Sequence, residues 1–124
     1  MNDLTAAFSE CQQALSAIGD PTRQLMILAL LEGNSECHPG MRVGELTSKI
    51  NLSRPAVSHH LKVLKEANLI GLNRIGTKNY YYLKVLQSDI FKLKRLFDHV
   101  AEFVHLLEVD SASKTKEEQE NARC

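Results

Sequence analysis

The sequence predicts a mainly α-helical chain with one small β-hairpin, and three observations carry that prediction. Apolar residues recur at steps of three and four along most of the 124 residues. Two short β-like runs, Leu69 to Asn73 and Asn79 to Leu83, stand either side of Gly76. The two helical segments before them are joined by only Asn51-Leu52-Ser53. Together these give about five helices and a two-stranded hairpin in one domain over residues 1–108, with a polar tail over 109–124.

The elements follow in order. Leu4, Phe8, Cys11, Leu15 and Ile18 step by four, three, four and three, which makes one amphipathic helix with a narrow seam ending at Gly19. Asp20-Pro21 is an N-cap followed by a first helical residue. The next helix runs to about Glu32 and is apolar nearly all round from Leu25, as a helix inside a fold would be. A loop carries the chain from Gly33 to Met41, turning at Pro39-Gly40. A short helix follows from Val43 to about Ile50, with Val43, Leu46 and Ile50 on one face. Ser53 caps the helix after it, Pro55 falls in its first turn, and Val57, Leu61 and Leu64 form its buried stripe to about Asn68. After the hairpin, Ser88 caps a long last helix to about Leu107. From Val109 onward the Ser, Lys, Glu and Gln residues have almost nothing to bury, and disorder is expected.

Composition narrows the function classes. The longest unbroken apolar run is the seven residues Leu25 to Leu31, far short of the roughly 20 of a membrane span. The first residues have no basic start and no apolar run, so no secretory signal is expected. Three cysteines at unrelated spacings make no disulfide framework, and a reduced, cytoplasmic protein without membrane attachment is expected. Fifteen basic and fifteen acidic residues cancel, but unevenly. Residues 1–41 carry a net −4, residues 42–84 a net +6 and residues 85–124 a net −2. A basic middle between acidic flanks is a footprint for a polyanion.

Two helices on a tight turn followed by a hairpin describe a winged helix-turn-helix, whose second helix enters the DNA major groove with its N-terminal residues at the base edges. With Val57, Leu61 and Leu64 inward, Ser53 and Arg54 stand at the helix start and Arg54, Ser58, His59 and Lys62 point outward. These outward side chains are all hydrogen-bond donors, with no carboxylate before Glu66. His60 lies close to the buried stripe and is expected to be half-buried and hydrogen-bonded rather than a DNA contact. Arg74, Thr77, Lys78 and Asn79 give the hairpin a basic tip suited to phosphate or a minor groove. Tyr81 and Leu83 are assigned to the core, and Tyr80 to the outer face as a phosphate donor. Gly-rich phosphate loops, His-Glu-x-x-His helices and nucleophile elbows are missing, so no enzyme and no cofactor are expected. The alternative is a winged helix that binds another protein, which an apolar strip on the reading helix would have favoured.

Three stretches carry a family resemblance. They are Gly19-Asp20-Pro21-Thr22-Arg23, the run from Leu52 to Leu64 reading LSRPAVSHHLKVL, and Gly76-Thr77-Lys78-Asn79-Tyr80-Tyr81-Tyr82. The chain resembles the ArsR/SmtB winged-helix repressors over roughly residues 4–108. The resemblance implies a homodimeric repressor that binds double-stranded DNA at a pseudo-palindromic operator and lets go when an inducer binds. It also implies that the first and last helices form the dimer interface, here Leu4, Phe8, Cys11, Leu93, Phe97, Val100, Val104 and Leu107. The last helix supports this independently. Ile90, Leu93, Phe97, Val100, Val104 and Leu107 form one apolar stripe, and Phe91, Leu96, Phe103 and Leu106 lie outside it.

The inducer is not named by the residues. The family's Cys-x-Cys positions fall on Arg42 and Gly44, so that thiolate site is absent. Of the family's zinc pattern along the last helix only His105 and Glu108 remain, with Lys92 and Lys94 where the other ligands would be. Cys37 and His38 in the loop are the remaining metal-ligand candidates. Cys11 is expected to be a small buried hydrophobe, with a redox-sensing thiol as the alternative. Metal, thiol oxidation through Cys11 or Cys37, a small organic ligand and no trigger all stay open.

Overall fold

The computed structural model describes residues 2–33, 39–84 and 88–114. Six helices and one hairpin follow in the order α1 (Asn2–Glu10), α2 (Gln12–Ile18), α3 (Pro21–Glu32), α4 (Val43–Ile50), α5 (Arg54–Glu66), β1 (Ile70–Ile75), β2 (Lys78–Leu83) and α6 (Ile90–Lys114). The winged helix-turn-helix expected from the sequence is present, with six helices in place of about five.

The extra helix arises at Cys11. Its N–H is shared between the carbonyls of Ala7 and Phe8, at 3.2 and 3.1 Å, and its ψ of 2° departs from helical geometry. The chain bends where its packing partner changes: α1 leans on α6, while α2 packs against α3, α5 and α6. Cys11, Ala14 and Ala17 are all buried there, and their small side chains admit the neighbouring helices closely.

Asp20 caps α3 as its sequence position predicts, with Oδ2 accepting the Arg23 N–H at 3.0 Å and Pro21 in the first turn. Met26, Ala29 and Leu30 are buried. The expectation that α3 lies wholly inside the fold is corrected: Leu25, Leu28 and Leu31 are 50–56% exposed. They recur every three residues on the side of α3 turned away from α2, α4 and β2, and a domain this small has no further layer to cover them.

Leu46, Val57, Leu61 and Leu64 are essentially inaccessible, so α4 and α5 grip the core through the faces predicted for them. Asn51 closes α4 in a left-handed conformation, φ 59°, and Ser53 Oγ opens α5 by accepting the Ala56 N–H at 3.3 Å. The strands pair antiparallel from Ile70↔Leu83 to Ile75↔Lys78 around the two-residue turn Gly76-Thr77, where Gly76 takes a positive φ of 63°. Leu83 is buried and Tyr81 packs on the core, so the assignment of strand faces holds.

One pairing was not foreseen in the loop before α4. Met41 exchanges both backbone hydrogen bonds with Tyr81, each 2.7 Å, and so forms a one-residue antiparallel bridge to β2. Gly40 makes this approach possible. Its φ is +131°, and a Cβ there would stand 2.4 Å from the Tyr81 carbonyl oxygen.

The far end of the hairpin joins α5 to α6. Asn68, left-handed at φ 59°, donates through Nδ2 to Asp89 at 3.0 Å and accepts from Lys84 Nζ at 2.6 Å. Ser88 Oγ then caps α6 by accepting the Ile90 N–H at 3.0 Å. The helix was expected to end near Leu107, with 109–124 a disordered tail. It continues to Lys114, because the sequence from Val109 to Lys114 holds neither Gly nor Pro and extending an existing helix is easy. Residues 115–124 lie outside the described residues, as do Cys37, His38 and Cys124.

Candidate nucleic-acid interface

The buried stripe of α5 fixes what its other side presents. Arg54, Ser58, His59 and Lys62 are all exposed, as are Arg74, Thr77, Lys78 and Asn79 at the hairpin tip. Tyr80 is half-buried beside them. Ser53, included with the DNA-binding residues, is exposed and spends its hydroxyl on the helix cap. The helix and the hairpin tip therefore present cations and neutral donors together, as phosphate and base-edge recognition requires.

His60 is half-buried and hydrogen-bonded, as expected. Its partner is Arg23, whose Nη1 lies 3.2 Å from His60 Nδ1. A guanidinium offers only donors, so the ring nitrogen accepts. Arg23 also donates through Nε to the Ala17 carbonyl at 2.6 Å and through Nη2 to the Ser16 carbonyl at 3.2 Å. One arginine thus ties the end of α2 and the start of α3 to the middle of α5.

Arg42 completes a feature that the sequence did not mark as part of this interface. An open cleft of ≈ 400 Å³ lies between the start of α4, the start of α5 and the hairpin tip, lined by Arg42, Gly44, Glu45, Arg54, Thr77 and Asn79. Sequence spacing could not bring these together. They meet because Met41, next to Arg42, is paired with Tyr81 of the hairpin.

The proposed dimer residues divide. Phe8, Phe97, Val104 and Leu107 are 43–57% exposed, and Leu4 and Val100 are half-buried. Cys11 and Leu93, at 2% and 6% exposure, lie in the core of the single chain. The reason is the docking of α6 on α1 and α2 through Leu93, Leu96 and the side of Val100, so Leu96 is inside rather than off the seam. Beyond Val100 every residue from Ala101 to Ser111 is exposed, with Phe103, Leu106 and Val109 adding apolar surface.

Burial pushes the Cys11 thiol up from its ordinary value, with the carboxylates of Asp89 and Glu10 adding to the effect. A thiol held protonated is a poor nucleophile, which favours the buried-hydrophobe reading of Cys11 over the redox one. No group of three or more His, Cys, Asp or Glu residues able to hold a metal occurs among the described residues. No helix among them is long and apolar enough to cross a membrane.

Residues 20–71 match the family model described as bacterial regulatory protein, arsR family. The transcriptional repressor SdpR of Bacillus subtilis is 43% identical over 76 residues, covering 60% of this chain and 78% of its own. An uncharacterized HTH-type transcriptional regulator of Methanocaldococcus jannaschii is 32% identical over 93 residues, covering 75% of this chain and 97% of its own. The crystal structure of a possible transcriptional regulator for arsenical resistance aligns with a TM-score of 0.58 at 30% identity, covering 76% of this chain and 92% of that one. The fold and the donor-rich face define a DNA-binding transcriptional regulator. The chain belongs to the ArsR family of bacterial regulatory proteins, DNA-binding transcriptional repressors built on a winged helix.

Proposed function

We propose that the protein works as a cytoplasmic homodimer that binds a pseudo-palindromic operator, represses transcription there and is released by an inducer. The observation that carries this reading is the outward face of α5, where Arg54, Ser58, His59 and Lys62 are exposed beside a basic hairpin tip. In the duplex complex, Ser58 and His59 read base edges in the major groove. Arg54 and Lys62 hold flanking phosphates, and Arg74, Thr77, Lys78 and Tyr80 grip the backbone or the adjoining minor groove. The second copy packs on Phe8 and on the outer face of α6, through Phe97, Val104 and Leu107. Its task is binding and release rather than catalysis. A protein-binding module would need an apolar strip on the outward face of α5, where polar residues stand instead.

Genomic DNA pull-down with sequencing tests the reading and supplies the operator. With that duplex, Ser58→Ala or His59→Ala relaxes base preference, by about 1–3 kcal/mol of lost discrimination at the contacted position. Arg74→Ala or Lys78→Ala weakens binding to all sequences alike. A footprint unchanged in all four variants refutes the assignment.

A further inference from the structure

The cleft between α4, α5 and the hairpin tip has a definite place relative to a duplex. When the reading helix occupies a major groove and the hairpin tip reaches the adjoining minor groove, one sugar-phosphate strand runs between them, because the backbone is the boundary between the grooves. The cleft spans the same two elements: Arg54 comes from the start of the reading helix, and Thr77 and Asn79 from the hairpin tip. Its third wall carries Arg42 and Gly44.

We infer that this cleft is a phosphate clamp, in which Arg42 and Arg54 close from two sides on a phosphodiester of the strand between the grooves. A guanidinium fork matches two phosphate oxygens, and Thr77 and Asn79 add neutral donors. Neither arginine makes an ion pair with a carboxylate among the described residues. Glu45, the acidic residue on the wall, has Oε1 on the Arg42 backbone N–H at 3.2 Å. A Cβ on Gly44 would stand 3.1 Å from Arg54 Nη2, a tight contact that the flexible end of the arginine relieves by a small shift. The Met41–Tyr81 pairing holds the Arg42 backbone in register with the hairpin, so the walls form one unit before DNA arrives.

The inference rests on the DNA-binding reading above and assigns Arg42 a role in it. The test measures binding of the full chain to two duplexes, the one recovered by pull-down and one of random sequence, each long enough for two half-sites, across a salt series. Arg42→Ala is expected to lower affinity for both duplexes by a similar factor. Arg42→Lys is expected to restore the affinity. Because the Arg42 side chain is exposed and the cap on α4 uses its backbone, the variants keep the fold. Removing both cations, Arg42→Ala with Arg54→Ala, should also flatten the dependence of log K on log salt by about 0.9 for each protomer. Phosphate ethylation interference then shows one fewer interfering phosphate per half-site in that double variant. An unchanged affinity in Arg42→Ala, beside a wild type that binds, overturns the clamp alone. A wild type that binds neither duplex overturns the DNA-binding reading and the clamp with it.

Discussion

Asp20 and Arg23 are three residues apart and hold opposite ends of one arrangement. The Arg23 backbone N–H caps on Asp20, while its guanidinium reaches the α2 carbonyls and His60 of α5. The hydrogen bond from the Arg23 N–H, and then the nearby positive charge of Arg23, hold the Asp20 carboxyl below its ordinary 3.8. A depressed folded-state value means that the ionised carboxylate stabilises the fold above pH 3.8, and that this contribution is lost as the pH falls through the lower folded value. Asp20→Asn keeps a capping side chain but removes the charge. Urea unfolding of the two proteins should show a gap in stability near neutral pH that closes on the acid side. A gap that persists unchanged into strong acid would mean that the charge is not its source. The cap itself was legible in Asp20-Pro21, because capping is local chemistry. The guanidinium's partners were not, since Ala17 and His60 meet Arg23 only through the packing of three helices.

Periodicity names the angle of an apolar residue on a helix but not what covers it, and that separates the elements that were legible from those that were not. On α5 the large apolar residues apart from Val63 share one stripe, so Val57, Leu61 and Leu64 point inward. On α6 and α3 more than one side is apolar. Leu93 and Leu96 go to the chain's own core, Phe97 and Val104 face out, and Leu25, Leu28 and Leu31 stay exposed, a division set by tertiary contacts alone. The outward face of α6 carries a prediction. Val100→Glu with Val104→Glu would bury two carboxylates per chain in the proposed interface, at a cost of several kcal/mol for each ion. Sedimentation should find the double variant monomeric where the wild type is a dimer. A double variant that still sediments as a dimer would move the interface elsewhere.

At the scale of the whole molecule, the order of helices and hairpin was legible because each has its own period and turn residues. The pairing of Met41 with Tyr81 was not, since a single residue has no period, and the cleft that depends on it was equally hidden. In the proposed dimer two reading helices stand about 34–36 Å apart and enter successive major grooves on one side of the duplex. Nuclease footprinting should therefore show two protected half-sites one helical turn apart. Inserting half a turn between them should abolish cooperative protection, whereas a protein that reads DNA as a monomer would tolerate the insertion.

The apolar outer face of α6 also makes abundance a physical variable for this regulator. In the proposed homodimer, part of the surface that holds each chain folded is supplied by the other copy, so folding and association are linked by mass action. Dilution then lowers the melting temperature as well as the dimer fraction, and operator occupancy falls more steeply than in proportion to the amount of protein. A cell that lets this chain decline would pass from repression to expression over a narrow range of concentration, with no change in the affinity of any single contact.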